Sequence, residues 1–75
     1  MTLDEVRANL HVIPFRPLTL RLASGRSHRV EHPDYLLVPP VGELVMVVDK
    51  PGGIHLLDIG QIEEIQLDLA AKATM

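Results

Sequence analysis

Residues 18–38 read LTLRLASGRSHRVEHPDYLLV. Leu18, Leu20 and Leu22 alternate with Thr19 and Arg21, the period-two pattern of a strand with one face in a core. Ala23-Ser24-Gly25-Arg26 reads as a hairpin turn in which Gly25 supplies a positive φ. The return strand, Ser27–Glu31, puts His28 and Val30 on one face and Arg29 on the other. Pro33 has no N–H to donate, so it ends the pairing or marks an edge. Extended structure resumes at Tyr35–Val38, as a separate strand or as the second half of one bent strand. A hairpin with one half-buried face sets the fold class as mainly antiparallel β.

Upstream, Thr2-Leu3-Asp4-Glu5 has the form of a capping box, in which a Thr hydroxyl and a Glu carboxylate each accept an otherwise orphaned amide. Leu3, Val6 and Leu10 recur at helical spacing, so a short helix is predicted over 3–11, stopped by Pro14 and Pro17. Downstream, Leu44–Val48 (LVMVV) is apolar without alternation, which predicts burial on both faces. Lys50-Pro51-Gly52-Gly53 reads as a turn with Pro second and Gly third, after which Ile54–Leu57 pairs back. Ile65, Leu67 and Leu69 alternate with Gln66 and Asp68 and define a last strand. The predicted strands are 18–23, 27–31, 35–38, 44–49, 54–58 and 63–67, within a single small domain over 1–69 and a frayed tail at 70–75. Counting the second and third as one bent strand gives a helix and five strands. The expectation is an α+β fold, a strongly bent five-stranded antiparallel sheet or small SH3-like barrel.

Seventy-five residues hide only about 60–65% of the surface an unfolded chain exposes, so the core is small. There is no cysteine, which removes disulfides and thiolate zinc sites and leaves a partner subunit as the natural reinforcement. The chain is 47% hydrophobic with one Phe, one Tyr and no Trp, so its apolar content is aliphatic. A net charge of −3 argues against nucleic acid, although five of the seven basic residues fall between Arg7 and Arg29. With neither a secretory leader nor a long apolar run, the expected location is cytoplasmic, with no membrane.

Helix followed by five strands is the order of the Sm-like fold, and two stretches resemble its motifs: LTLRLASGRSHRV, and GIHLLDIGQIEEIQL. That resemblance implies a ring-forming small barrel and single-stranded RNA binding. Asp34 matches the loop Asp of Sm-like RNA binders, and Gly60 the Gly of their Arg-Gly pair. Val38 stands where an Asn is expected, and Ile59 where the Arg is expected. The stretch PFRPLTLRLASGRSHRVEHPDYLLV is also similar to a family of short uncharacterised bacterial proteins. Its pattern falls here on Pro14, Phe15, Pro17, Gly25, Arg26, Val30, His32, Pro33, Asp34 and Tyr35, and it implies no known activity.

His32-Pro33-Asp34 is the signature tripeptide of J-domains, but strand patterns flank it where those proteins have long helices. It reads instead as a corner, with Pro fixing φ and Asp34 accepting local backbone hydrogen bonds. His28 and His32 share a strand face only if the strand passes Pro33, so no zinc set of four is assembled and no metal or other cofactor is expected. Ser24 and Ser27 lack a nucleophile context, and Glu63 and Glu64 point to opposite faces of a strand, so no catalytic residue is expected.

The sequence therefore predicts a non-enzymatic interaction or assembly module that self-associates. Its expected interface is Leu44, Val45, Met46, Val47 and Val48. The alternative is an Sm-like RNA binder using Arg21, Arg26 and Arg29, with His32, Asp34 and Tyr35 as further contact residues. A third reading docks a protein partner through Phe15 and Tyr35.

Overall fold

The computed structural model describes residues 1–68; the tail expected at 70–75 lies outside the described residues. Helix α1 spans Leu3–Leu10. The strands are β1 Leu18–Leu22, β2 Ser27–Val30, β3 Leu36–Leu37, β4 Leu44–Val48, β5 Ile54–Asp58 and β6 Ile62–Leu67. One-turn 3₁₀ segments at Pro33–Tyr35 and Ile59–Gln61 precede β3 and β6. The capping box forms as read. The Glu5 amide donates to Thr2 Oγ1 at 3.2 Å, and the Thr2 amide donates to Glu5 Oε1 at 2.9 Å.

Two hairpins are built alike. In the first, the Leu22 amide donates to the Arg26 carbonyl at 2.9 Å and Gly25 takes φ 91°. In the second, the Asp49 amide donates to the Gly53 carbonyl at 2.9 Å and Gly52 takes φ 98°. Each is a three-residue connection closed by a residue in the left-handed region, where only Gly is unstrained. Each turn starts one residue earlier than the sequence reading placed it, because the Gly ends the turn instead of sitting inside it.

All six predicted strand ranges hold a strand among the described residues, but in place of the expected continuous five-stranded sheet they form two three-stranded antiparallel sheets, ordered β2–β1–β6 and β3–β4–β5. Among the described residues, strand pairing does not close them into a barrel. Pro33 supplies the reason: its 3₁₀ turn lifts the chain off β1, and β3 pairs with β4 instead. The sheets share one core. Leu18, Leu20, Val30 and Ile62 come from the first sheet, and Leu36, Val45, Val47 and Leu57 from the second. Val6 of the helix and Phe15 of the following segment complete it. Leu3 and Leu10 pack on its margin, as their helical spacing requires.

Leu44–Val48 is a second, partial correction. Its second face was expected to be covered by the helix, by the opposite side of a barrel or by another subunit, and the described residues of this chain do not cover it: Val45 and Val47 are 1% exposed, Met46 and Val48 are half-buried, and Leu44 is exposed.

Candidate functional site

The outward face of the β3–β4–β5 sheet is apolar. Register places Leu37 beside Met46 and Met46 beside Leu56 in one cross-strand row, with Val48 beside Ile54 in the next. Leu37 is 59% exposed, Leu44 48%, Ile54 63% and Leu56 62%. Val41, in the loop before β4, adds a further exposed side chain. A shallow depression of about 180 Å³ lies among Leu37, Pro39, Leu44, Met46 and Leu56. Exposed leucines scattered singly need no explanation, but neighbours in register form a contiguous patch of the kind that marks an interaction surface.

Of the five residues expected at an interface, Leu44, Met46 and Val48 lie on this face. Val45 and Val47 do not; they are core, because successive side chains of a strand point to opposite faces. The sequence reading missed Leu37, Ile54 and Leu56. The signal for Ile54 and Leu56 was present: IHLLD carries both at the parity opposite Leu57, beside a strand, LVMVV, that is apolar at both parities.

The outward face of the other sheet is polar. Arg21 pairs with Glu64 across the β1–β6 ladder at 2.9 Å, and its Nε also donates to Gln66 Oε1 at 3.4 Å. Arg29 meets Asp68 at 3.0 Å and Glu31 at 3.4 Å. Arg26 is exposed at the first hairpin, where its amide donates to Ser24 Oγ at 3.3 Å. Arg21 and Arg29 sit on this face with carboxylates interleaved, while Arg26 lies at the hairpin turn, close enough to His28 to act on its charge.

His32, Pro33 and Asp34 form the corner, with the expected roles reversed. The Asp34 amide donates to His32 Nδ1 at 3.1 Å, so the histidine caps the 3₁₀ turn and the Asp34 side chain is exposed. Tyr35 packs on the core margin, its ring 6.2 Å from that of His32. Phe15 is 5% exposed, which withdraws it from any docking role. An open groove of about 470 Å³ lies nearby, lined by Leu10, Val12, Ile13, Pro14, Phe15 and Pro33.

A titratable cluster occupies the seam between the sheets. His28 on β2 and His55 on β5 have ring centroids 4.6 Å apart, tilted by 48°. His55 Nε2 lies 2.8 Å from Asp49 Oδ2, and Asp49 Oδ1 accepts from the Gly53 amide at 2.6 Å. Burial holds His28 below the ordinary histidine range, aided by His55 and Arg26 and opposed by Asp49. Hydrogen bonds from His55 and Gly53 hold the Asp49 carboxyl below its usual range. Glu31 lies low because Lys50 bonds it at 3.2 Å. Among the described residues, no three His, Asp or Glu side chains converge in a metal-binding arrangement. No described helix is long and apolar enough to cross a membrane.

Comparison with protein-family models, with curated proteins and with solved structures gives no match.

Proposed function

We propose that this chain is a non-enzymatic interaction and assembly module that self-associates through the outward face of β3–β4–β5. One observation carries the reading: Leu37, Met46 and Leu56 run edge to edge across all three strands, flanked by Leu44, Val48 and Ile54. The Leu37–Met46–Leu56 and Val48–Ile54 rows hold no charge, and Asp58 stands beside Leu44 at the margin of the face, so a second copy that meets those two rows approaches without like-charge repulsion. Self-association would also supply the reinforcement that a cysteine-free chain of 75 residues lacks. Strand β5 adds an open edge beside the patch, since among the described residues it pairs only with β4.

We further read the two sheets as a small SH3-like or Sm-like barrel opened at Pro33. If β2 and β3 count as one strand bent there, the ladder order is β6–β1–β2/β3–β4–β5. The rival role, single-stranded RNA binding, is supported less well. A phosphate contacting Arg21 or Arg29 would have to displace the carboxylates of Glu64, Asp68 or Glu31.

Light scattering coupled to size exclusion tests the proposal. The expected result is a dimer or larger assembly at micromolar concentration, and a strict monomer there contradicts it. Salt-dependent binding of single-stranded RNA, lost on Arg21→Ala plus Arg29→Ala, would favour the rival.

A further inference from the structure

We propose that His28, His55 and Asp49 form a proton-operated clasp across the seam between the two sheets, closed while His28 is neutral and released by proton uptake at His28.

The geometry rests on strand order. β2 is an edge of one sheet and β5 an edge of the other, and no strand pairing joins them among the described residues. At this seam the sheets meet through side chains alone. His28 reaches out from β2 and packs against His55, the rings tilted by 48° with centroids 4.6 Å apart. The His55 ring is fixed in turn by Asp49 at 2.8 Å, and Asp49 is fixed by the Gly53 amide at 2.6 Å. A Cβ at Gly53 would stand 2.7 Å from Asp49 Oδ2, so the second hairpin is shaped to seat that carboxylate.

A proton on His28 meets a poor environment. His55 faces it from β5 and Arg26 from the first hairpin turn, both able to carry positive charge. The carboxylate that faces it, Asp49, is already bonded to His55 and Gly53. Half-burial adds a desolvation cost to the charged ring. Charging His28 therefore works against the contact that holds β2 to β5.

A second bridge, Glu31 to Lys50 at 3.2 Å, links the end of β2 to the same hairpin. Glu31 is held below the ordinary carboxylate range, so this bridge stays ionised from about pH 5 to pH 7. It restrains the seam without responding to pH in that interval, which leaves the response to His28.

The sign follows from linkage. Well above about pH 6.5, His28 is neutral in folded and unfolded chains alike and contributes no pH dependence. As pH falls from there through the lowered native value, the unfolded chain takes up a proton that the folded chain refuses, and stability is lost. Asp49 acts in a separate window. Its contribution is present above about pH 3.9 and is lost as pH falls through its own lowered value.

The clasp does not depend on self-association, since His28 and His55 lie off the outward apolar face and the test reads ring titration and folding. Imidazole resonances of the full chain are followed by NMR against pH, and urea midpoints are compared at about pH 7.5 and pH 5.5. The expected His28 titration lies below about pH 6.5, with amides of β2 and β5 shifting at the same midpoint. Wild type is expected to lose stability on acidification, and His28→Phe to show a shallower loss. Titration of His28 at or above about pH 6.5 overturns the proposal, as does a folded His28→Phe variant with the full wild-type loss. Should His28→Phe fail to fold, the wild-type ring titration decides by the same criterion.

Discussion

The two sheets present opposite outer surfaces on similar frames. Each has three antiparallel strands, and each contributes four side chains to the common core. Outside β2–β1–β6, Thr19, Arg21, Arg29, Glu64 and Gln66 face solvent, with Arg21 and Arg29 paired to carboxylates. Outside β3–β4–β5, Leu37, Met46, Leu56, Val48 and Ile54 occupy the equivalent positions, with Leu44 beside Asp58 at one margin. A sheet with a wet face normally alternates apolar inside with polar outside. The first sheet obeys that rule and the second does not, so the departure belongs to one surface and not to the fold. Folding needs only the inward residues; the outward leucines of the second sheet call for another explanation, and an interface supplies one.

The comparison can be broken first at the core. Leu20 and Leu36 lie on inward faces of different sheets and are 0% and 4% exposed. Leu20→Ala and Leu36→Ala are each expected to cost about 2–5 kcal/mol by urea denaturation. A much smaller cost for one of them would mean that the sheets do not share the core equally.

The polar face should matter far less. Arg21→Ala removes an exposed pair with Glu64 and is expected to cost about 0.2–1 kcal/mol, diminishing at high salt. A cost of several kcal/mol would make that face a structural lock in place of a solvated surface.

Much of this organisation was legible in the sequence because it depends on neighbours along the chain. The capping box at Thr2 and Glu5, the alternation of Leu18, Leu20 and Leu22, and the glycines at positions 25 and 52 are all local signals. Pro33 was legible as a break, but its consequence was not: the transfer of β3 to a second sheet depends on where β4 lies. Leu44–Val48 misled for a different reason. An apolar run shows that both faces avoid water, and it cannot say whether the second face is covered by the same chain. That ambiguity turned Val45 and Val47 into interface residues and hid Leu37, Ile54 and Leu56. The His28–His55 contact had no local signal, since the two residues meet only after the sheets assemble.

The most direct measurement is sedimentation velocity over a range of concentration, comparing wild type with matched variants of the two outward faces. Met46→Lys plus Leu56→Lys places charge in the centre of the apolar rows, while Arg21→Ser plus Glu64→Ser alters the polar sheet without adding charge. The account predicts an assembly for wild type and for the polar-face variant, and a folded monomer for the apolar-face variant. A wild-type chain that stays monomeric throughout, or an apolar-face variant that assembles like wild type, would contradict it.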